Sequence, residues 1–219
     1  MARMKHDNRS SLASMCEEAH CHSLIIDKRE IFIQGSYLPD DGDPGVDWRM
    51  ATTLLKNLRI LENISTDSIF IHQMSIGGDE EAGYMMYDAI KNSKCHITIC
   101  THGVAASMGS IVPQAADYRL TMPNCCWLLH KGSTGMGSHL TRTQAKSWSA
   151  WEDYCDNRMF DIYVDKCKNS IYYEGKKDSQ IKSLLKRKLE ARGDWFMTAE
   201  EAVAYGFADA VETEGTTRR

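Results

Sequence analysis

The stretch that decides the fold is CTHGVAASMGS, Cys100 to Ser110. A β-type run, His96 to Ile99, leads into it, and the strand is expected to end near Thr101. Gly103, Ala105 and Ala106 then let the backbone turn tightly before a helix starting around Ser107. A serine there sits exposed beside unpaired backbone N–H groups and the positive end of the helix dipole, so the amide of Met108 can point at a developing oxyanion. Spacing alone favours a simpler role for Ser107, a plain helix cap. Pro113 is expected to bend the helix roughly two turns in.

A related interruption lies upstream in SIGGDEEAG. Gly77 and Gly78 follow a strand of Ser68 to Ile71 that ends near Gln73, and they precede a helix over Asp79 to Asn92. By itself the pair is an ordinary tight turn, but beside Ser107 the amide of Gly78 offers a second donor for a carbonyl oxygen. Farther out, Ile31 to Ile33 forms another β-type run. Between it and the next, Ala51, Leu54, Leu55, Leu58 and Leu61 share one helical face after a loop of Pro39 to Gly45, with Asp47 as N-cap. Repeated strand-then-helix texture predicts an α/β fold with a mostly parallel sheet and a site near the carboxyl ends of its strands.

Downstream, Trp148, Trp151, Cys155, Met159 and Ile162 recur at helical spacing on a long helix beginning near Thr141. Ser179 to Arg192 reads as a helix whose Lys182, Lys186, Arg187 and Lys188 form a solvated basic face. Thr198 and Glu201 make a capping box, Gly206 stops that helix, and Ala208 to Val211 forms a last strand.

Composition narrows the function. The chain has 219 residues, 42% hydrophobic and 26% charged, with net charge −4, which suits one folded domain and lacks the basic footprint of a nucleic-acid binder. Gly103 to Ala116, the least polar stretch, falls short of the roughly 20 apolar residues that span a bilayer, so neither nucleic acid nor membrane is an expected partner. Eight cysteines lack CxxC spacing, and no apolar signal segment opens the chain, which points to a reducing cytoplasm. Residues 1–22 read as a polar N-terminal arm ordered, if at all, by a partner. Their Cys16, His20, Cys21 and His22 match no zinc pattern, and no metal or other cofactor is expected. Residues 23–213 form the domain, and 214–219 a polar tail.

Four segments in order, GG at 77–78, GVAASMG at 103–109, PNCCWLLH ending in His130, and DWFMTAEEAVAYG at 194–206, resemble the signatures of ClpP-type serine peptidases, the Clp protease proteolytic subunit family. The likeness runs from about Arg29 to Val211. It implies a ClpP/crotonase-like fold of repeated ββα units with a projecting handle helix. It also implies a Ser107, His130, Asp194 triad with Gly78 and Met108 as oxyanion donors. The chemistry agrees, since a serine hydroxyl needs an imidazole to accept its proton and a carboxylate to orient that imidazole. By residue type alone His72, His96 and His102 are rival imidazoles, and Asp156, Asp161 and Asp165 rival carboxylates. Asp194 follows a long segment, Lys168 to Gly193, so its approach to His130 is expected to depend on assembly.

Ile76 stands where the family usually has proline, and the proline usually found shortly after the histidine is missing from HKGSTGMG. These departures resemble phage-encoded or otherwise outlying members. The resemblance implies peptide-bond hydrolysis of polypeptide substrates inside stacked homo-oligomeric rings, with an AAA+ unfoldase as a candidate partner. The alternatives are a phage-type head-maturation protease and a non-catalytic pseudopeptidase subunit of a mixed ring. The Gly-rich 132–138 stretch and the tryptophans of the long helix resemble the handle between rings.

Overall fold

The computed structural model describes residues 8–33, 45–132 and 139–213. Residues 1–7 of the expected arm, all but the last residue of the loop expected at 39–45, all but the first residue of the Gly-rich stretch 132–138 and the polar tail 214–219 lie outside them. The strands are β1 (Leu24–Ile25), β2 (Glu30–Ile33), β3 (Ile69–Ser75), β4 (Ile97–Ala106), β5 (Tyr118–Thr121), β6 (Cys126–Leu129), β7 (Trp195–Met197) and β8 (Ala210–Val211). The helices are α1 (Asn8–His22), α2 (Trp48–Ile64), α3 (Glu80–Lys91), α4 (Met108–Ile111), α5 (Arg142–Cys167), α6 (Asp178–Arg192) and α7 (Ala199–Tyr205).

One sheet runs β1-β2-β3-β4-β5-β8, and β6 branches from β4 and carries β7. Pairings from β2 through β5, with β4–β6 and β5–β8, are parallel, whereas β1–β2 and β6–β7 are antiparallel. The alternation seen in the sequence thus builds the expected parallel sheet, with α2 and α3 as crossovers. β3 buries Ile69, Ile71, Gln73 and Ser75 on one face, and α2 buries Ala51, Leu54, Leu58 and Leu61 on the stripe anticipated from spacing. Asp47 caps α2 by accepting from the Met50 N–H at 2.8 Å, and Thr198 and Glu201 close the capping box of α7.

β4 departs from the sequence expectation in a way that positions the site. It does not stop near Thr101 but continues to Ala106. Thr98 to Thr101 pair with β5, whereas Val104 to Ala106 pair with β6. Between these halves the register against β3 jumps, from Gln73 opposite Thr101 to Ser75 opposite Ala105. Gly103, at φ 61°, supplies the left-handed backbone that this bulge requires. The strand therefore changes partner without ending. Past Ser107 the helix is short: α4 gives way after Ile111 to a 3-10 turn over Val112–Ala115, because Pro113 has no N–H with which to continue the α-helical ladder.

Residues 8–22, expected as a polar arm, contain the helix α1. Polar tethers hold its C-terminal end: Glu18 accepts from the Ile26 N–H at 3.1 Å, and the Asn57 side chain donates to the His22 carbonyl at 2.8 Å. Weak periodicity concealed it, and of the two tethers the one from Asn57 comes from chain distant in sequence. Among the described residues no helix is long and apolar enough to cross a membrane.

Arg119 of β5 is 6% exposed and forms an ion pair with Asp209 just before β8, with further hydrogen bonds to the Gln114 side chain and the Gly206 carbonyl. A buried guanidinium that loses its carboxylate keeps its desolvation cost without compensation. Asp209→Asn is therefore expected to lower stability by about 3 kcal/mol, read from the urea unfolding midpoint, whereas Asp178→Asn on the surface of α6 should shift it little.

Candidate functional site

Ser107 stands at the elbow between β4 and α4 with φ 52° and ψ −125°, a strained backbone for a residue with a Cβ. Its side chain makes no capping hydrogen bond, so the plain cap suggested by spacing is not the role it plays in this fold. The elbow is held from several sides. The Ser107 N–H donates to the Leu128 carbonyl at 3.0 Å, and the Ser107 carbonyl accepts from the Ser110 hydroxyl at 2.7 Å. Two glycines allow close packing: a Cβ on Gly77 would lie 2.5 Å from the Ser107 Cβ, and one on Gly109 would lie 2.4 Å from the Ser75 carbonyl oxygen.

Gly78 is fixed by the segment ahead of α2. The Val46 N–H donates to the Gly77 carbonyl at 2.7 Å, and the Asp79 N–H to the Val46 carbonyl at 2.8 Å. A side chain on Gly78, at φ 150°, would collide with Val46 backbone at 2.5 Å. The glycine pair therefore meets the Ser107 elbow edge to edge at the carboxyl ends of β3 and β4.

His130 follows β6, and Asp194 precedes β7. Because Leu129 pairs antiparallel with Trp195, the next positions outward are His130 and Asp194. The His130 Nδ1 lies 3.5 Å from an Asp194 carboxylate oxygen. The pair is together within the single chain, where the sequence reading expected its approach to depend on assembly. Ser107, Met108, Gly78 and His130 all line one cleft of about 560 Å³, and no hydrogen bond joins Ser107 to His130 across it.

The rival groups are placed elsewhere. His72 and His102 contact each other, Nδ1 to Nε2 at 3.1 Å, with Phe32 stacked on His72 at 4.9 Å and a Glu30 oxygen 3.9 Å from its Nε2. His96 is exposed ahead of β4. Asp161 pairs with Lys182 at 2.6 Å and Asp165 with Lys168 at 2.7 Å, while Asp156, paired with Lys131 at 3.1 Å, does line the cleft. Among the described residues no group of three or more His, Cys, Asp or Glu could hold a metal ion.

The walls of the cleft were not read as functional from the sequence. α3 contributes Glu80, Glu81 and Tyr84, and α5 contributes Trp148, Trp151, Glu152, Cys155 and Met159. Apart from Glu152, these α5 residues belong to the helical stripe that spacing revealed; the signal existed, and only its destination was missing. Burial, with Glu80 accepting from it, pushes the Cys155 thiol up to about 11, so it stays protonated at neutral pH.

Comparison with known proteins agrees with this architecture. The Clp protease family model matches residues 17–215. The ATP-dependent Clp protease proteolytic subunit 2 of Pseudomonas aeruginosa is 28% identical over 187 residues, covering 84% of this chain and 80% of that protein. The ATP-dependent Clp protease proteolytic subunit of Deinococcus radiodurans is 28% identical over 193 residues, covering 87% and 83%. A solved structure of a ClpP1 mutant from Listeria monocytogenes superposes with a TM-score of 0.64 at 23% identity, covering 87% of this chain and 94% of that one. The sheet with its branching β6 and long α5 is thus the ClpP fold. The chain belongs to the Clp protease family and is, in class, a serine peptidase.

The histidine pair carries a pH consequence of its own. Burial, reinforced by His102, lowers His72 from the usual 6.5 to about 4, and burial lowers His102 as well. The unfolded chain then binds more protons than the folded chain between these values, so the stability present above pH 6.5 is lost as pH falls toward 4. His72→Gln is expected to flatten this decline, as checked by urea midpoints at pH 7 and pH 4.5.

Proposed function

We propose that the chain is a serine endopeptidase in which Ser107 attacks the peptide carbonyl, His130 accepts and returns the proton, and Asp194 orients the imidazole. The observation that carries this reading is the His130–Asp194 contact of 3.5 Å beside a cleft that Ser107 shares with His130. With Nδ1 turned to the carboxylate, Nε2 is the nitrogen left for the Ser107 hydroxyl, the tautomer that general-base catalysis needs. Seating of substrate closes the Ser107–His130 contact, as is common where hydrogen bonds are long in the free enzyme. The Gly78 and Met108 amides receive the oxyanion from either side of the elbow, where strain and neighbouring backbone hold Ser107 forward.

The exposed aromatics of α5 support an assembled particle. Trp148, Trp151 and Tyr154 stay 42%, 46% and 54% exposed in the single chain, a liability on a monomer and suitable material for an interface between copies. The full reading is a homo-oligomer of stacked rings enclosing the clefts. Polypeptides are its substrates, and an AAA+ unfoldase is its candidate partner, as the ATP-dependent relatives suggest. All eight cysteines are free thiols, which fits a reducing cytoplasm.

A fluorophosphonate probe is expected to label the wild-type chain and to leave Ser107→Ala unlabelled; equal labelling of the variant would place the nucleophile elsewhere. Asp194→Asn should lower peptide turnover by roughly three to four orders of magnitude without changing particle size. Light scattering should report a multiple of 24.8 kDa; a monomer at micromolar concentration and all salt conditions would overturn the ring.

A further inference from the structure

Resting on the peptidase reading of the Ser107 cleft, we infer that Lys188 of α6 is a positioning residue for that reaction: its ammonium pins the turn that carries Asp194 and so keeps the carboxylate at His130. Asp194 depends on its backbone for its place. Its side chain is 58% exposed, and among the described residues the carboxylate makes one polar contact, the 3.5 Å approach to the His130 Nδ1. No N–H or hydroxyl holds it from behind, so the chain on either side must.

That chain is short. α6 ends at Arg192 and β7 begins at Trp195, which leaves Gly193 and Asp194 between them. The Gly193 N–H donates to the Leu189 carbonyl at 2.8 Å, and the Asp194 N–H to the Arg192 carbonyl at 2.9 Å. Asp194 is thereby tied to the last turn of α6. On its other side Trp195 is buried and paired with Leu129, the residue before His130. Asp194 thus stands at a corner between a strand whose register is fixed and a helix that has to be held against it.

Lys188 makes that connection across the corner. Its ammonium lies 3.8 Å from the centroid of the Tyr205 ring, 4.1 Å from that of Trp195 and 5.5 Å from that of Tyr172. The Trp195 and Tyr205 rings are 5.0 Å apart with their planes at 78°, so their faces form an angle in which the ammonium is seated. Among the described residues it has no carboxylate partner, which leaves the ring faces as the groups its charge is attracted to. Lys182 and Lys186 of the same helix reach Asp161 and Asn157 of α5 instead. The contact from Lys188 to Trp195 therefore closes the turn whose tip is Asp194, and it rests on charge rather than on the methylene stem, which packs with or without the ammonium.

The test measures kcat and KM for a peptide substrate with the full chain. Lys188→Met keeps an apolar stem and removes the charge; it is expected to lower kcat by roughly tenfold through misplacement of the carboxylate, with KM and particle size unchanged. Lys188→Arg, which keeps a cation over the rings, should recover most of that loss, and Arg187→Met, which removes a cation from the exposed face of α6, should leave kcat as it is. A role in folding alone would not depend on Asp194, whereas a positioning role does. In the Asp194→Asn background Lys188→Met should therefore cause no further loss. Where Lys188→Met lowers the urea midpoint too far for assay, Lys188→Gln taken through the same cycle decides. An unchanged kcat in the folded variant, or a tenfold loss that persists beside Asp194→Asn, overturns the inference and leaves the peptidase reading standing. Wild-type turnover by Asp194→Asn overturns the role given to Asp194 in that reading, and the inference with it.

Discussion

Parallel pairing of the second half of β4 with β6, and antiparallel pairing of β6 with β7, is the constraint on which the candidate site depends. Ala106 opposite Leu128 puts Ser107 beside the end of β6, and Leu129 opposite Trp195 puts His130 beside Asp194. Residues far apart in the chain are thus set by two registers of three residue pairs each. A slip of one residue in either would turn every side chain of the strand to the other face. Buried neighbours make such a slip costly: Trp127, Leu129, Trp195 and Met197 all point into the core, and the Trp127 indole N–H is satisfied by the Thr121 hydroxyl at 3.0 Å.

That register exists only because β4 can change partners. Its first half keeps β5 and its second half keeps β6, and the bulge at Gly103 supplies the extra length. Around the elbow the backbone is so crowded that Gly109 is required by contact alone, and Gly77 by contact together with its φ of 92°. The left-handed backbone of Ser107 is over-determined in the same way, by the Leu128 carbonyl, the Ser110 hydroxyl and the glycine at its Cβ. Ser110 is in turn fixed by the Tyr163 hydroxyl of α5 at 2.8 Å, so the long helix that walls the cleft also supports its elbow.

The basic stretch of α6 shows how packing redirects a charge pattern. Lys188 does not sit on a solvated face: its ammonium lies 3.8 Å from the Tyr205 ring centroid and 4.1 Å from that of Trp195, and burial lowers it from the usual lysine value. Lys182 and Lys186 reach Asp161 and Asn157 of α5. These contacts fasten α6 between the long helix and β7, and so set the position of Asp194 at the end of the segment that sequence length alone left uncertain.

Sequence by itself determined the alternation of strands and helices, the caps at Asp47 and Thr198, the helical stripe of α5 and the small-residue elbow around Ser107, because each is a local pattern of period or spacing. It also supplied the candidate residues, through their resemblance to a family. Tertiary structure alone decided which histidine meets which carboxylate: His72 and His102 were withdrawn to each other on the sheet, while strand register delivered His130 to Asp194. It also decided that α1 is a helix and that β4 runs through Gly103, since both rest on partners distant in the chain. The walls of the cleft belong to the same class, for residues of α3 and α5 that are far apart in the sequence line it together only once the chain has closed around the elbow. Local pattern is written in consecutive residues, whereas register and juxtaposition are settled by burial, which acts only when the whole chain has closed.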